Sequence, residues 1–136
     1  MLLSIDHVGI VAPSLEQGWE VMVDHLGLTP DEGRSPLPDG VFFEPEQAHA
    51  FFFTVGGGET RIEMLVPAPG SVSGTARFLE RRGPGLHHLG FLCEDLDAEA
   101  ERLAGQGLVE IELPRTADGR RTAAFFHPAT AGGILT

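Results

Sequence analysis

Two histidines, His7 and His88, occupy equivalent places in a stretch of sequence used twice. The chain reads Ile5-Asp6-His7-Val8-Gly9-Ile10-Val11 near its start and Leu86-His87-His88-Leu89-Gly90-Phe91-Leu92 further on. A shift of 81 positions lays His7 on His88, Gly9 on Gly90 and Leu15 on Leu96, with apolar residues meeting apolar ones between them. Each copy is a β-prone run carrying one histidine, followed by an acidic helix start. Two copies of one supersecondary unit each need a neighbour to cover an apolar face. If the copies face each other, their imidazoles can share an ion. Glu63 is a further group with chemistry, a carboxylate between Ile62 and Met64 in an apolar run. Its plainer reading is a charge on the solvent face of a strand.

Composition removes most other chemistries. All 9 basic residues are arginine and there is no tyrosine, so lysine Schiff bases and phenol acids are excluded. No serine lies in a nucleophile-elbow context, and Gly56-Gly57-Gly58 lacks the Lys-Ser/Thr that completes a phosphate loop. Those glycines read as a hairpin turn. The single cysteine, Cys93, rules out an internal disulfide or a multi-cysteine metal site and reads as a small buried hydrophobe. A net charge of −11 argues against nucleic acid, whose phosphates need a basic face. No apolar run reaches the roughly 18–20 residues of a membrane span. Met1–Ile5 is too short for a signal-peptide core, which leads to the expectation of a cytoplasmic protein. What remains is histidine, carboxylate and arginine.

These groups are positioned by elements legible in order. The length, 136 residues, suits one domain. Leu2–Ala12 reads as a strand. Ser14 and Gln17 form a capping box for a helix running to about Leu26, with Trp19, Val23 and Leu26 on one face and His25 meeting its C-terminal dipole. Asp31–Gly40 is a polar, proline-rich loop, Val41–Phe43 a short strand, and Ala48–Val55 and Thr60–Val66 an antiparallel pair. A linker at about 67–84 carries a short helix, Thr75–Arg82. The second copy then brings a strand with His88, a helix capped by Asp95, strands at Val109–Leu113 and Thr122–Phe126, and a last strand from Gly132. The expectation is an α+β chain of two βαβββ repeats, about 1–66 and about 85–136, in one domain over 1–136.

Such a pair of units, with a histidine on the first strand of each, resembles the vicinal oxygen chelate superfamily of glyoxalases, extradiol dioxygenases and bleomycin-resistance proteins. Within it the chain is most similar to methylmalonyl-CoA epimerases. The similar stretches are Ile5–Ile10, Arg61–Leu65, Phe78–His88, and Phe126-His127-Pro128 with Gly132-Gly133. The resemblance implies a glyoxalase-like fold, a cupped mixed sheet around a metal site, and a homodimer. It implies that His7, Glu63 and His88 bind a divalent ion. The residue types suit Zn, Co, Ni, Mn or Fe without choosing between them. It further implies proton abstraction beside the carbonyl of an acyl-CoA thioester, with Lewis-acid stabilisation of the enolate. Some of Arg77, Arg81, Arg82, Arg120 and Arg121 would meet CoA phosphates, or else form a solvated arginine face. Adjacent strand residues point oppositely, so His87 would lie outside the ligand set.

The chain departs from the family twice. The family's fourth ligand, a glutamate on the last strand that also serves as one base, would fall immediately past Thr136. The other base is a glutamate on the strand after a Pro-Glu-Gln-Gly turn. Pro45-Glu46-Gln47-Ala48 matches the turn, but Ala50 and Phe51 occupy the positions expected for that base. Glu46 and His49 are the nearby groups that could substitute. Two alternatives follow: another glyoxalase-like lyase or isomerase, and a metal-free binding protein of the bleomycin-resistance kind.

Overall fold

A computed structural model describes residues 1–136. In chain order the elements are β1 (Leu2–Val11), α1 (Leu15–Trp19), β2 (Thr29–Pro30), β3 (Val41–Phe43), β4 (Ala48–Thr54), β5 (Arg61–Pro67), α2 (Gly74–Arg82), β6 (Gly85–Cys93), α3 (Leu96–Gly105), β7 (Glu110–Ile111) and β8 (Phe125–Phe126). Six strands form one mixed sheet, in the order β2-β4-β5-β1-β6 with β3 also on β4. No helix is long and apolar enough to cross a membrane. The chain forms two compact units, His7–His87, and Met1–Asp6 with His88–Thr136.

In the His7–His87 unit, β1 runs parallel to β5, pairing His7 with Arg61 and Gly9 with Glu63. β4 runs antiparallel to β5, pairing Phe52 with Glu63 and Phe51 with Met64. Alternation then sorts the side chains onto two faces. One face buries Val11, Ala48, Ala50, Phe52 and Leu65, with Phe78 and Leu79 of α2 against them. The other buries Ala12, Phe51, Phe53 and Met64 beneath Leu15, Trp19, Met22 and Val23. Phe53 and Met64 are both 0% exposed, a burial that stabilises by about 1.5–3 kcal/mol each. The approach of α1 is close. A Cβ on Gly18 would come within 2.1 Å of Met64 Sδ, so only glycine fits there.

Ser14 caps α1 as expected, its Oγ accepting from Gln17 N at 3.2 Å. The continuous α-helix expected to about Leu26 is instead one α-helical turn followed by a π-helical turn, Glu20–His25, in which Leu26 N bonds Val21 O. Trp19 and Val23 still pack against the sheet, but Leu26, expected on the same face, is 61% exposed after the π-helical turn. His25 sits in that last turn, 3.8 Å from Glu20 and largely exposed.

In the other unit, Asp95 caps α3 by accepting from Ala98 N. Glu99, 3% exposed, pairs with Arg102 and with the Met1 ammonium at 3.0 Å. Those bonds, Arg102's first, hold the Glu99 carboxyl down to about 2. Met1 O also accepts from Glu94 N, so the first residues group with the second half of the chain rather than with the repeat they begin. The strands expected at Val109–Leu113 and Thr122–Phe126 shrink to β7 and β8. Pro114 lacks a ladder donor, and Thr116 N bonds Arg120 O to form a turn. The last strand is reduced to a bridge. A turn at Pro128–Thr130 and two glycines with positive φ precede it, and Leu135 then pairs with His88 in parallel.

Candidate metal centre

Strand geometry puts His7 and Glu63 together. His7, Gly9 and Val11 point to one face of β1, and the parallel register sets Gly9 beside Glu63. A glycine there adds no side chain beside the carboxylate. His7 Nε2 lies 3.5 Å from Glu63 Oε2, with the two side chains 19% and 14% exposed. Phe52, the β4 partner of Glu63, meets His7 edge-on at 5.9 Å. His88, buried on β6, completes a group with them. One ligand atom from each of His7, Glu63 and His88 lies within 4.8 Å of the others.

The donor set fits a divalent ion. Two imidazole nitrogens and one carboxylate oxygen suit first-row transition metals and zinc. Ligands about 2.0–2.1 Å from a tetrahedral ion stand about 3.3 Å apart, close to the His7–Glu63 separation. In the second unit, the parallel His88–Leu135 bridge mirrors His7–Arg61.

His87 lies outside this group, its ring against Phe78 of α2 at 4.8 Å. The two residues considered as bases have other partners. Glu46 Oε2 accepts from Thr75 N and Thr75 Oγ1, both at 2.7 Å, which caps the start of α2. His49 pairs with Val66, so alternation turns it to the face opposite Glu63. There its Nδ1 lies 2.8 Å from Asp39 O and its ring packs on Phe42. Ala50 shares the face of Glu63, whereas Phe51 packs beneath α1. Four of the five arginines considered for phosphate have contacts within the chain. Arg77 bonds Val72 O, Arg82 lies over Phe78, Arg120 pairs with Asp118, and Arg121 pairs with Glu110 and Asp97.

Sequence reasoning missed the setting of the pair. Phe52 and Arg61 follow from the period-two pattern once the β4–β5 register is known. Arg34, whose guanidinium sits 4.1 Å over the Phe52 ring, carries no signal in an irregular loop.

Comparison with known proteins bears on the family and the fold. Residues 6–125 match the Glyoxalase/Bleomycin resistance protein/Dioxygenase superfamily. The chain is 28% identical over 132 residues to the uncharacterized protein YqjC of Bacillus subtilis, covering 96% of this chain and 87% of that one. It is 29% identical over 138 residues to an ethylmalonyl-CoA/methylmalonyl-CoA epimerase of Cereibacter sphaeroides, covering 99% and 96%. The crystal structure of methylmalonyl-CoA epimerase from Mycobacterium tuberculosis superposes with a TM-score of 0.78 at 31% identity, covering 98% of this chain and 85% of that one. With its α+β glyoxalase-like fold, the chain belongs to the glyoxalase/bleomycin resistance/dioxygenase superfamily.

Proposed function

We propose that the chain is a metal-dependent epimerase of a methylmalonyl-CoA-type acyl thioester. The observation that carries this reading is the His7–Glu63–His88 group, in a chain similar along nearly its whole length to methylmalonyl-CoA epimerases. His7, Glu63 and His88 would hold the divalent ion, which when bound supplies Lewis-acid stabilisation of negative charge on a carbonyl oxygen.

The chain's own contribution is placement and exclusion of water. Phe52, Ala50 and Leu65 give the face that carries Glu63 a buried apolar floor. Charge interactions above such a floor are screened less than in bulk water. Proton transfer needs a group within about 2.6–3.2 Å of the acidic carbon's proton, directly or through a water. Glu46 would serve only by giving up its bonds to Thr75, and His49 only by leaving the opposite face. That observation, with Ala50 on the Glu63 face, favours the second reading, another glyoxalase-like lyase or isomerase using the same ion. The ligand group itself weighs against a metal-free binding protein. The reading includes an acyl-CoA as partner and a cytoplasmic homodimer.

Proton exchange separates the two enzyme readings. In deuterated water, metal-loaded protein incubated with (2R)- or (2S)-methylmalonyl-CoA is expected to exchange the α-proton, seen as a one-mass-unit gain. No exchange would transfer the assignment to the lyase or isomerase reading.

A further inference from the structure

Beside the His7–Glu63 pair stands a cation that the ligand group does not account for. Arg34 lies in the loop between β2 and β3, its guanidinium 4.1 Å from the centroid of the Phe52 ring. Phe52 is the cross-strand partner of Glu63, and the same ring meets His7 edge-on. One aromatic ring thus touches both the arginine and a candidate metal ligand.

The loop is fastened at several points around Arg34. Asp31 N donates to Phe52 O at 2.7 Å, and Phe52 N donates to Ser35 Oγ at 2.8 Å. Ser35 is only 2% exposed, and its hydroxyl donates in turn to Asp31 O. Arg34 N donates to Asp31 Oδ1. Arg61 clamps the same carboxylate through Nε at 2.8 Å and donates from Nη1 to Gly58 O and Glu59 O. Arg61 therefore positions the loop, and the loop sets Arg34 over the ring.

We propose that Arg34 binds the carboxylate of an anionic acyl substrate held at the His7–Glu63 face, and so selects acyl groups that carry a free carboxylate. This rests on the acyl-thioester reading above. The chain's net charge of −11 disfavours an incoming carboxylate, and a guanidinium fixed near the ligand group offsets part of that alongside the ion. A cation–π contact uses the charge of the guanidinium. Gripping a carboxylate uses the planar fork of N–H donors, so one arginine can do both. Arg34 is exposed, and a ligand can reach it from solution.

The test is calorimetric titration of the metal-loaded protein with methylmalonyl-CoA and with propionyl-CoA, which differ only in that carboxylate. Arg34→Gln is expected to weaken methylmalonyl-CoA binding about tenfold or more and leave propionyl-CoA binding unchanged. Arg34→Lys, which keeps the charge without the fork, should fall between. Unchanged metal content and unfolding midpoint confirm that the variants are folded. Equal losses for both esters, or no loss for either, would overturn the proposal. If the wild type binds neither ester, titration with free methylmalonate decides. Weakening by Arg34→Gln would keep Arg34 as the carboxylate site and remove the acyl-CoA reading, while no effect would overturn both.

Discussion

Glu46 offers a direct test of whether a carboxylate near the site serves the fold or the chemistry. Its Oε2 accepts from the backbone N–H and the hydroxyl of Thr75, each at 2.7 Å, and Thr75 is 0% exposed. A hydrogen bond to a charged acceptor contributes about 1.5–3 kcal/mol. Truncation to alanine removes both and strands two buried donors. Water can reach a half-buried glutamate and recover part of the loss, so Glu46→Ala is expected to cost about 2–4 kcal/mol. Glu46→Gln keeps an acceptor oxygen and should cost about 1 kcal/mol. In urea, with a slope of about 2 kcal/mol/M, the alanine variant's midpoint falls by about 1–2 M. Below the transition, the folded variant should retain its ion, because Glu46 is outside the ligand group. A stability change under about 0.5 kcal/mol with loss of α-proton exchange would refute the reasoning and return Glu46 to the role of base.

Two further outcomes are expected. Bonding to Arg102 and the Met1 ammonium depresses the Glu99 carboxyl to about 2, so its stabilising effect is complete above the ordinary glutamate value near 4.5 and is lost as pH falls from there to about 2. Glu99→Gln should therefore flatten the dependence of the unfolding midpoint on pH across that window, and an unchanged acid limb would remove this pair from the account. His88→Ala should abolish metal binding, whereas His87→Ala, which removes the ring packed on Phe78, should keep the ion with at most about a 10–100-fold weaker affinity. Metal titration of the two variants showing the reverse pattern would displace the ligand assignment by one residue.

The parts legible in the sequence are those governed by period and by repeat. The 81-residue shift singles out His88 over His87, and alternation alone separates Glu63 from Ile62 and Met64. Ser14 and Asp95 each cap a helix by a side-chain oxygen. What was not legible depends on long-range register or on irregular backbone. Whether Ala50 or Phe51 faces Glu63 follows from the β4–β5 pairing, which no local pattern sets. The role of Glu46 depends on Thr75, 29 residues away. The grouping of Met1–Asp6 with the second half goes with the pairing of β1 beside β6 and with an ion pair from the Met1 ammonium to Glu99, a residue that reads from sequence only as a helix-start charge. Arg34 lies among loop residues whose placement comes from tertiary bonds to Phe52.

The central claim is that His7, Glu63 and His88 hold a divalent ion. It is tested most directly by elemental analysis of protein that has met neither a chelator nor a nickel column. The account predicts on the order of one divalent ion per chain in the wild type and its loss in Glu63→Ala, with the variant's fold retained by far-UV circular dichroism. Metal content near zero in the wild type, or the same content in Glu63→Ala, would contradict it.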